Sequence, residues 1–182
     1  LTARNPDSPV RFLRLGTLEA RKQPVEILRS FREAIAKGAN AELVFIGRPS
    51  ASDQSINDSI AEAFAEGLPV TWIQHADDAL VETELGKADI FLSIGIEGYG
   101  IPVLEAIRLG TPVLFDGIQP AGDLMVGQGS RRVDASSISG MADAFLRYSS
   151  HNEVVRFGTE LTESSVPTWS QFALTVARRS AV

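Results

Sequence analysis

Short apolar runs alternate with amphipathic stretches along almost the whole chain, and that alternation leaves few folds open. Val10–Leu15, Leu43–Ile46, Val70–Ile73, Asp89–Ile94 and Pro112–Phe115 read as strands. Between them, Val25–Lys37 places Ile27, Leu28, Phe31 and Ile35 on one helical face, and Asp53–Glu66 aligns Ile56, Ile60 and Phe64. Ala79–Lys87 reads as a short helix with Leu80, Val81 and Leu85, and residues 102–109 as another. A weaker unit follows, with a short helix near 121–126, a strand near Arg132–Val133 and a helix over Ile138–Tyr148 that the serines at 136–139 suit as a start. The tail reads as helices over His151–Glu163 and Trp169–Arg179. Nearly continuous apolar strands belong in a parallel sheet buried on both faces. The expected fold is therefore α/β: a doubly wound, Rossmann-like parallel sheet of about six strands with helices on both faces. Ligands of such sheets bind beyond the carboxyl ends of the strands, where the glycine turns after strands one, two and four lie.

The length of 182 residues fits one domain over 1–182, and 44% hydrophobic with 22% charged residues supplies an ordinary globular core. No cysteine is present, which removes disulfides, thiolate nucleophiles and thiolate metal sites. A net charge of −6 argues against nucleic acid as a general partner. An anion site must then be built locally. No apolar run approaches membrane-spanning length and no signal peptide is evident. A cytoplasmic location is expected. Leucine rather than methionine stands first, so the chain is read as a piece of a larger protein.

Two stretches carry the chemistry. In Glu97-Gly-Tyr-Gly-Ile-Pro-Val-Leu-Glu105 two carboxylates flank a Gly-x-Gly turn between a strand and a helix. Pro102 suits the first turn of that helix and Gly110 its end. The bare N–H groups and the positive dipole end of such a helix favour phosphate. A carboxylate does not bind phosphate usefully, but it accepts hydrogen bonds from the hydroxyls of a nucleotide sugar. The competing structural role is a dipole-stabilised first-turn acid for Glu105 and a solvated loop residue for Glu97. The second stretch is Gly16-Thr-Leu-Glu-Ala-Arg21-Lys22-Gln-Pro24, after the first strand. Cations just before a helix oppose its dipole, and a shared anion removes that cost. Lys22 offers a point charge and Arg21 a two-pronged donor. The bland alternative is a solvated pair beside Glu19 and Glu26.

Together, these stretches resemble the C-terminal domain of retaining GT-B glycosyltransferases, the large family with bacterial mannosyltransferases and sucrose and glycogen synthases. Gly-Thr-Leu-Glu-x-Arg-Lys after the first strand, Phe45-Ile-Gly47 after the second, Glu-Gly-Tyr-Gly-Ile-Pro-Val-Leu-Glu-Ala followed by Gly-Thr-Pro-Val, and the late Trp169 all take part. The likeness implies roles. Glu97 would bind hydroxyls of the donor sugar. The amides of Gly98, Tyr99, Gly100 and Ile101, beside the Gly16–Thr17 turn, would hold the pyrophosphate. Lys22, helped by Arg21, would neutralise the leaving diphosphate. Glu105 would bind the ribose, and the loop Gln74-His75-Ala76-Asp77-Asp78 would meet the base. Many members carry arginine where Thr17 stands here, which puts more of the phosphate charge on Arg21 and Lys22.

The implied partners are a nucleotide-diphosphate sugar, as substrate, and an N-terminal acceptor domain of the same protein. Any peripheral membrane association, at the inner face of the membrane, would be made through that absent domain. No cofactor and no metal are expected: Asp77-Asp78 is not Asp-x-Asp, and no cluster has ligand spacing. His75 is read as a loop residue without catalytic work, Asp78 as the cap of the helix at 79–87, and Trp169 as a packing anchor. Asp116 and Asp123 are candidates to approach the cleft. Two alternatives compete with the transferase. One is a nucleotide-sugar epimerase of GT-B-like fold, which needs a further catalytic acid and base. The other is a non-catalytic nucleotide-binding or scaffold domain, against which intact Lys22, Glu97 and Glu105 argue. A dehydrogenase is disfavoured, since no Gly-x-Gly-x-x-Gly follows the first strand.

Overall fold

The computed structural model describes residues 7–163 and Val166. Six parallel strands form one sheet: β1 (Val10–Leu15), β2 (Ala41–Ile46), β3 (Val70–Ile73), β4 (Ile90–Ile96), β5 (Val113–Ile118) and β6 (Ser130–Arg132). Their order is β3-β2-β1-β4-β5-β6, so the sheet is doubly wound as expected. The chain winds outward from β1 to β3, then returns to lay β4 on the other side of β1. The switch point thus falls between β1 and β4, and such points open ligand crevices at the carboxyl edge.

Helices cover both faces. The stripes of α1 (Pro24–Ala36), α2 (Gln54–Ala65), α6 (Ile138–Tyr148) and α7 (His151–Gly158) bury Phe31, Ile60, Phe145 and Phe157 against Phe12, Leu43 and Phe45. Phe145 meets Phe12 and Phe31 edge-on, at 4.9 and 5.2 Å between ring centres. On the other face α3 (Asp78–Lys87), α4 (Ile101–Arg108) and α5 (Pro120–Leu124) pack Leu85, Val103, Ile107 and Ala121 on Leu13, Phe91 and Phe115. Each such side chain removed from water contributes roughly 1.5–3 kcal/mol.

Local chemistry moves several boundaries. Asp77, not Asp78, caps α3: its side chain accepts from the Leu80 N–H at 2.8 Å while its backbone stays extended. Asp78 is then the first helical residue. Strands β4 and β5 run past their apolar cores, to Ile96 and Ile118, because their ends pair Gly95 with Gly117 and Ile96 with Ile118. Asp89 lies just before β4, where its carboxylate accepts the Arg11 N–H at 2.8 Å. Strand β6 begins at Ser130 rather than near Arg132, because the buried Ser130 hydroxyl donates to the Gly122 carbonyl at 2.6 Å. The helix expected over His151–Glu163 tightens into a 3-10 turn over Thr159–Glu163, and the Thr159 hydroxyl there donates to the Arg156 carbonyl at 2.7 Å. Trp169 and the helix expected around it lie outside the described residues.

Candidate functional site

The site is built at the carboxyl ends of β1 and β4. After β1 the chain turns at Gly16, with φ +110°, and forms a 3-10 turn over Ala20–Lys22 before Pro24 opens α1. Arg21 and Lys22 therefore sit on their own short turn rather than inside the helix. After β4 the turn Glu97–Gly100 leads into α4, with Gly100 at φ +88° as the residue before it and Pro102 in its first turn. The first N–H groups of a helix lack partners within it.

Glycines let these turns close on one another. A Cβ on Gly95 would lie 2.1 Å from the Arg21 carbonyl oxygen, and one on Gly47 would lie 2.1 Å from that of Gly16. No side chain fits either gap. Below them a buried bridge ties β4 to β5: Ser93 donates to Gln119 Oε1 at 2.9 Å, and Gln119 Nε2 donates to the Gly95 carbonyl at 3.0 Å.

This packing joins the two sequence motifs. Lys22 Nζ lies 2.8 Å from Glu97 Oε1, and Arg21 Nη1 lies 3.7 Å from Glu97 Oε2. Arg21 also meets Glu19 at 2.6 Å and donates to the Ile96 carbonyl at 2.5 Å. Lys22 is only 9% exposed, so its ammonium is held rather than swinging in solvent. Arg14, Gly16, Lys22 and Glu97 line a cavity of about 80 Å3 with Ser93 and Pro102.

A larger cavity, about 510 Å3, opens next to it between the ends of β1, β2 and β3. Gly16, Thr17, Gly47, Arg48, His75, Ala76 and Asp77 are among its lining residues. Thus the turn after β1 is shared between the charged cluster and a space of ligand size. Asp78 and Glu105 lie elsewhere, in a groove of about 420 Å3 between α3 and α4 with Glu82 and Arg108. Val81 lines both spaces, so they adjoin. Asp116 and Asp123 are held in ion pairs with Arg132 at 2.9 and 2.7 Å and line none of these three cavities.

Arg14 is the residue that sequence reasoning missed. It is 2% exposed, and its guanidinium donates to the carbonyls of Leu15, Gly16 and Lys22 at 2.8, 3.0 and 3.4 Å. Burial pushes its pKa down from 12.5 to about 10, with Glu97 opposing the shift and Arg21 adding to it. It remains a cation at neutral pH. The signal was an arginine inside the apolar run Phe12-Leu-Arg-Leu15, two residues before the first glycine turn.

Doubly wound sheets take their ligands at such a switch point, and cations beside a helix N-terminus suit an anion. The chain belongs to the glycosyl transferases group 1 family, which it matches over residues 3–156. It is 31% identical over 106 residues to the serotype-specific mannosyltransferase WbdA of Escherichia coli. That stretch is 57% of this chain and 13% of WbdA, so the chain spans a small part of that relative. Among solved structures, the C-terminal domain of LpcC, a glycosyl transferase group 1 family protein from Francisella tularensis, shares the fold at a TM-score of 0.71 and 19% identity. The match covers 87% of this chain and 90% of that domain. The UDP-forming trehalose-phosphate synthase of Burkholderia vietnamiensis matches at 0.66 and 14% identity, over 94% of this chain and 44% of that one. Among the described residues no helix is long and apolar enough to cross a membrane.

Proposed function

We propose that this chain is the donor-binding lobe of a retaining hexosyltransferase. It takes a nucleotide-diphosphate sugar and works against an acceptor held by an N-terminal lobe of the same protein, whether glycan, lipid-linked or small molecule. The observation that carries the proposal is the 2.8 Å contact between Lys22 and Glu97, which brings motifs from the two sides of the switch point into one crevice.

In this reading the pyrophosphate lies against Lys22, Arg21 and the N–H groups of Gly98–Ile101. The base enters the 510 Å3 cavity beside Thr17, His75 and Ala76. The ribose reaches Glu105 across Val81. Glu97 is left to accept hydrogen bonds from hydroxyls of the sugar. Lys22 already has an anionic partner in Glu97, so a phosphate exchanges one anion for another and no cation is desolvated anew. As the bond from the anomeric carbon to the diphosphate oxygen breaks, negative charge grows on that oxygen, and fixed cations and N–H groups stabilise it. These groups meet the charge without a metal. The new bond to the acceptor oxygen forms on the same face of the sugar as the acceptor O–H bond breaks, its proton passing to the departing diphosphate oxygen. The likeness to a mannosyltransferase supports a hexosyl donor, with mannosyl donors the first to try.

The test is Glu97→Gln in the full-length protein. Its size is kept while its charge is lost. Turnover should fall at least tenfold, about 1.4 kcal/mol in the barrier, with nucleotide binding nearly intact. Loss of nucleotide binding with unchanged chemistry per bound donor would contradict the assignment. A protein that binds the nucleotide sugar but never passes its sugar to an acceptor with release of free nucleoside diphosphate is a binding module instead.

A further inference from the structure

We propose that Arg14 is a buried positioning cation of the diphosphate site, pinning the turns that carry Gly16 and Lys22 and lending its charge to the crevice from beneath. The inference rests on the reading of the Lys22–Glu97 crevice as a diphosphate site.

Arginine is almost never buried without a charged partner. Here, among the described residues, the hydrogen-bond partners of the Arg14 guanidinium are three main-chain carbonyls. Carbonyls satisfy the N–H groups but leave the charge whole. A well-packed apolar side chain at this strand position would serve stability at least as well. The charge is therefore explained by what it does at the end of the strand.

Two effects follow from its contacts. The bonds to Gly16 and Lys22 tie together segments six residues apart, on either side of the loop that carries Arg21. This fixes the main chain from which Lys22 reaches Glu97. The residue also lines the same small cavity as Lys22 and Glu97, so its field enters the crevice. Gly16 makes room for both cations. A Cβ there would lie 2.6 Å from Lys22 Nζ and 3.5 Å from Arg14 Nη1. Around Glu97 the cluster holds three cations, Arg14, Arg21 and Lys22, against two carboxylates, Glu19 and Glu97. The surplus positive charge invites an anion, although the whole chain carries −6.

The experiment compares the unaltered protein with Arg14→Met and Arg14→Lys. Binding of UDP, GDP, ADP, dTDP and inorganic pyrophosphate is measured beside that of the matching nucleosides, at two salt concentrations. Arg14→Met should weaken the best nucleoside diphosphate and pyrophosphate about tenfold, or about 1.4 kcal/mol. Nucleoside affinity should stay within about twofold, and the salt dependence should become shallower. Arg14→Lys keeps the charge without the fork and should recover part of the phosphate affinity. Equal losses for nucleoside and diphosphate, or no loss for either, would overturn the inference. Amide exchange over residues 16–23, without ligand, provides an independent arm: it should quicken in Arg14→Met, and unchanged exchange would overturn the pinning role. If the unaltered protein binds neither the nucleotides nor pyrophosphate, the diphosphate reading has failed and the charge-lending role falls with it; the exchange arm still decides the pinning role.

Discussion

Arg11 and Arg14 stand on one strand, near its two ends, and their charges are met in different ways. Arg11 faces the amino edge of the sheet, where Glu42 and Glu84 hold its guanidinium at 2.6 and 2.5 Å and Lys87 reaches Glu84 at 2.9 Å. Burial alone would lower the Arg11 pKa, but the hydrogen bonds and charges of the two carboxylates raise it. Arg14 faces the carboxyl edge, has carbonyls for partners, and has its pKa lowered to about 10. The amino edge is closed: its charges answer one another within the fold. At the carboxyl edge the cluster around Glu97 holds one cation more than it holds carboxylates, which the proposed diphosphate would balance. The difference teaches that the presence of charged residues marks a site less well than an imbalance among them.

The largest expected effect comes from closing the gap that lets the two turns meet. Gly95→Ala would press a methyl group onto the Arg21 carbonyl at φ +96°, where L side chains are strained. Overpacking and backbone strain together should cost roughly 3 kcal/mol or more in denaturant unfolding. A loss below about 1 kcal/mol would show that the carboxyl edge is looser than described.

A change at the amino edge should separate stability from binding. Glu84→Gln removes the carboxylate shared by Arg11 and Lys87 and should cost about 2 kcal/mol near neutral pH. Nucleotide affinity should not move. A parallel loss of affinity would erase the contrast between the edges.

The same residue sets an acid dependence. Burial would raise the Glu84 pKa, but hydrogen bonds from Lys87 and Arg11 outweigh it and hold the pKa below the ordinary 4.5. The folded state therefore binds this proton less readily than the unfolded one. The stabilisation is complete above about pH 4.5 and is lost as pH falls through the depressed value. Thermal melts should show a fall in stability in that window that shrinks in Glu84→Gln. An unchanged acid profile would contradict the pairing.

The smallest effect lies at the start of α2, at a residue that lines none of the three cavities. Asp53 caps α2 through the Ser55 N–H at 3.0 Å. Asp53→Ala should cost about 1 kcal/mol of stability and leave binding untouched. Altered binding would mean that stability changes outside the cavity linings leak into the site.

The sheet was legible because its strands are apolar on both faces, as in Leu43-Val-Phe-Ile46, while the helices keep one apolar stripe. That the turns after β1 and β4 share one edge was legible, since a doubly wound order brings them together, but the ion pair of Lys22 with Glu97 was not. Other features were not legible. Adjacent Asp77 and Asp78 are equivalent as sequence, and only the extended backbone of Asp77 makes it the cap. The far ends of β4 and β5 expose Ile96 and Ile118, so no hydrophobic pattern announces them. The position of Glu105 depends on how α4 rotates against α3, which spacing does not encode. Arg14 was hidden because an arginine in a strand reads as an outward-facing charge, whereas the end of β1 lies under the Gly16 turn.

The account turns on whether the carboxyl edge binds diphosphate. Calorimetric titration of this chain with UDP, GDP, ADP and dTDP, repeated in Lys22→Ala and Glu105→Ala, tests that most directly. One nucleotide should bind at micromolar or weaker affinity, about −8 kcal/mol or less in magnitude. Lys22→Ala should weaken it about tenfold at low salt, with a smaller loss at high salt. Glu105→Ala should weaken it with no such salt dependence. Unchanged affinity in both variants would place the nucleotide elsewhere and contradict the account.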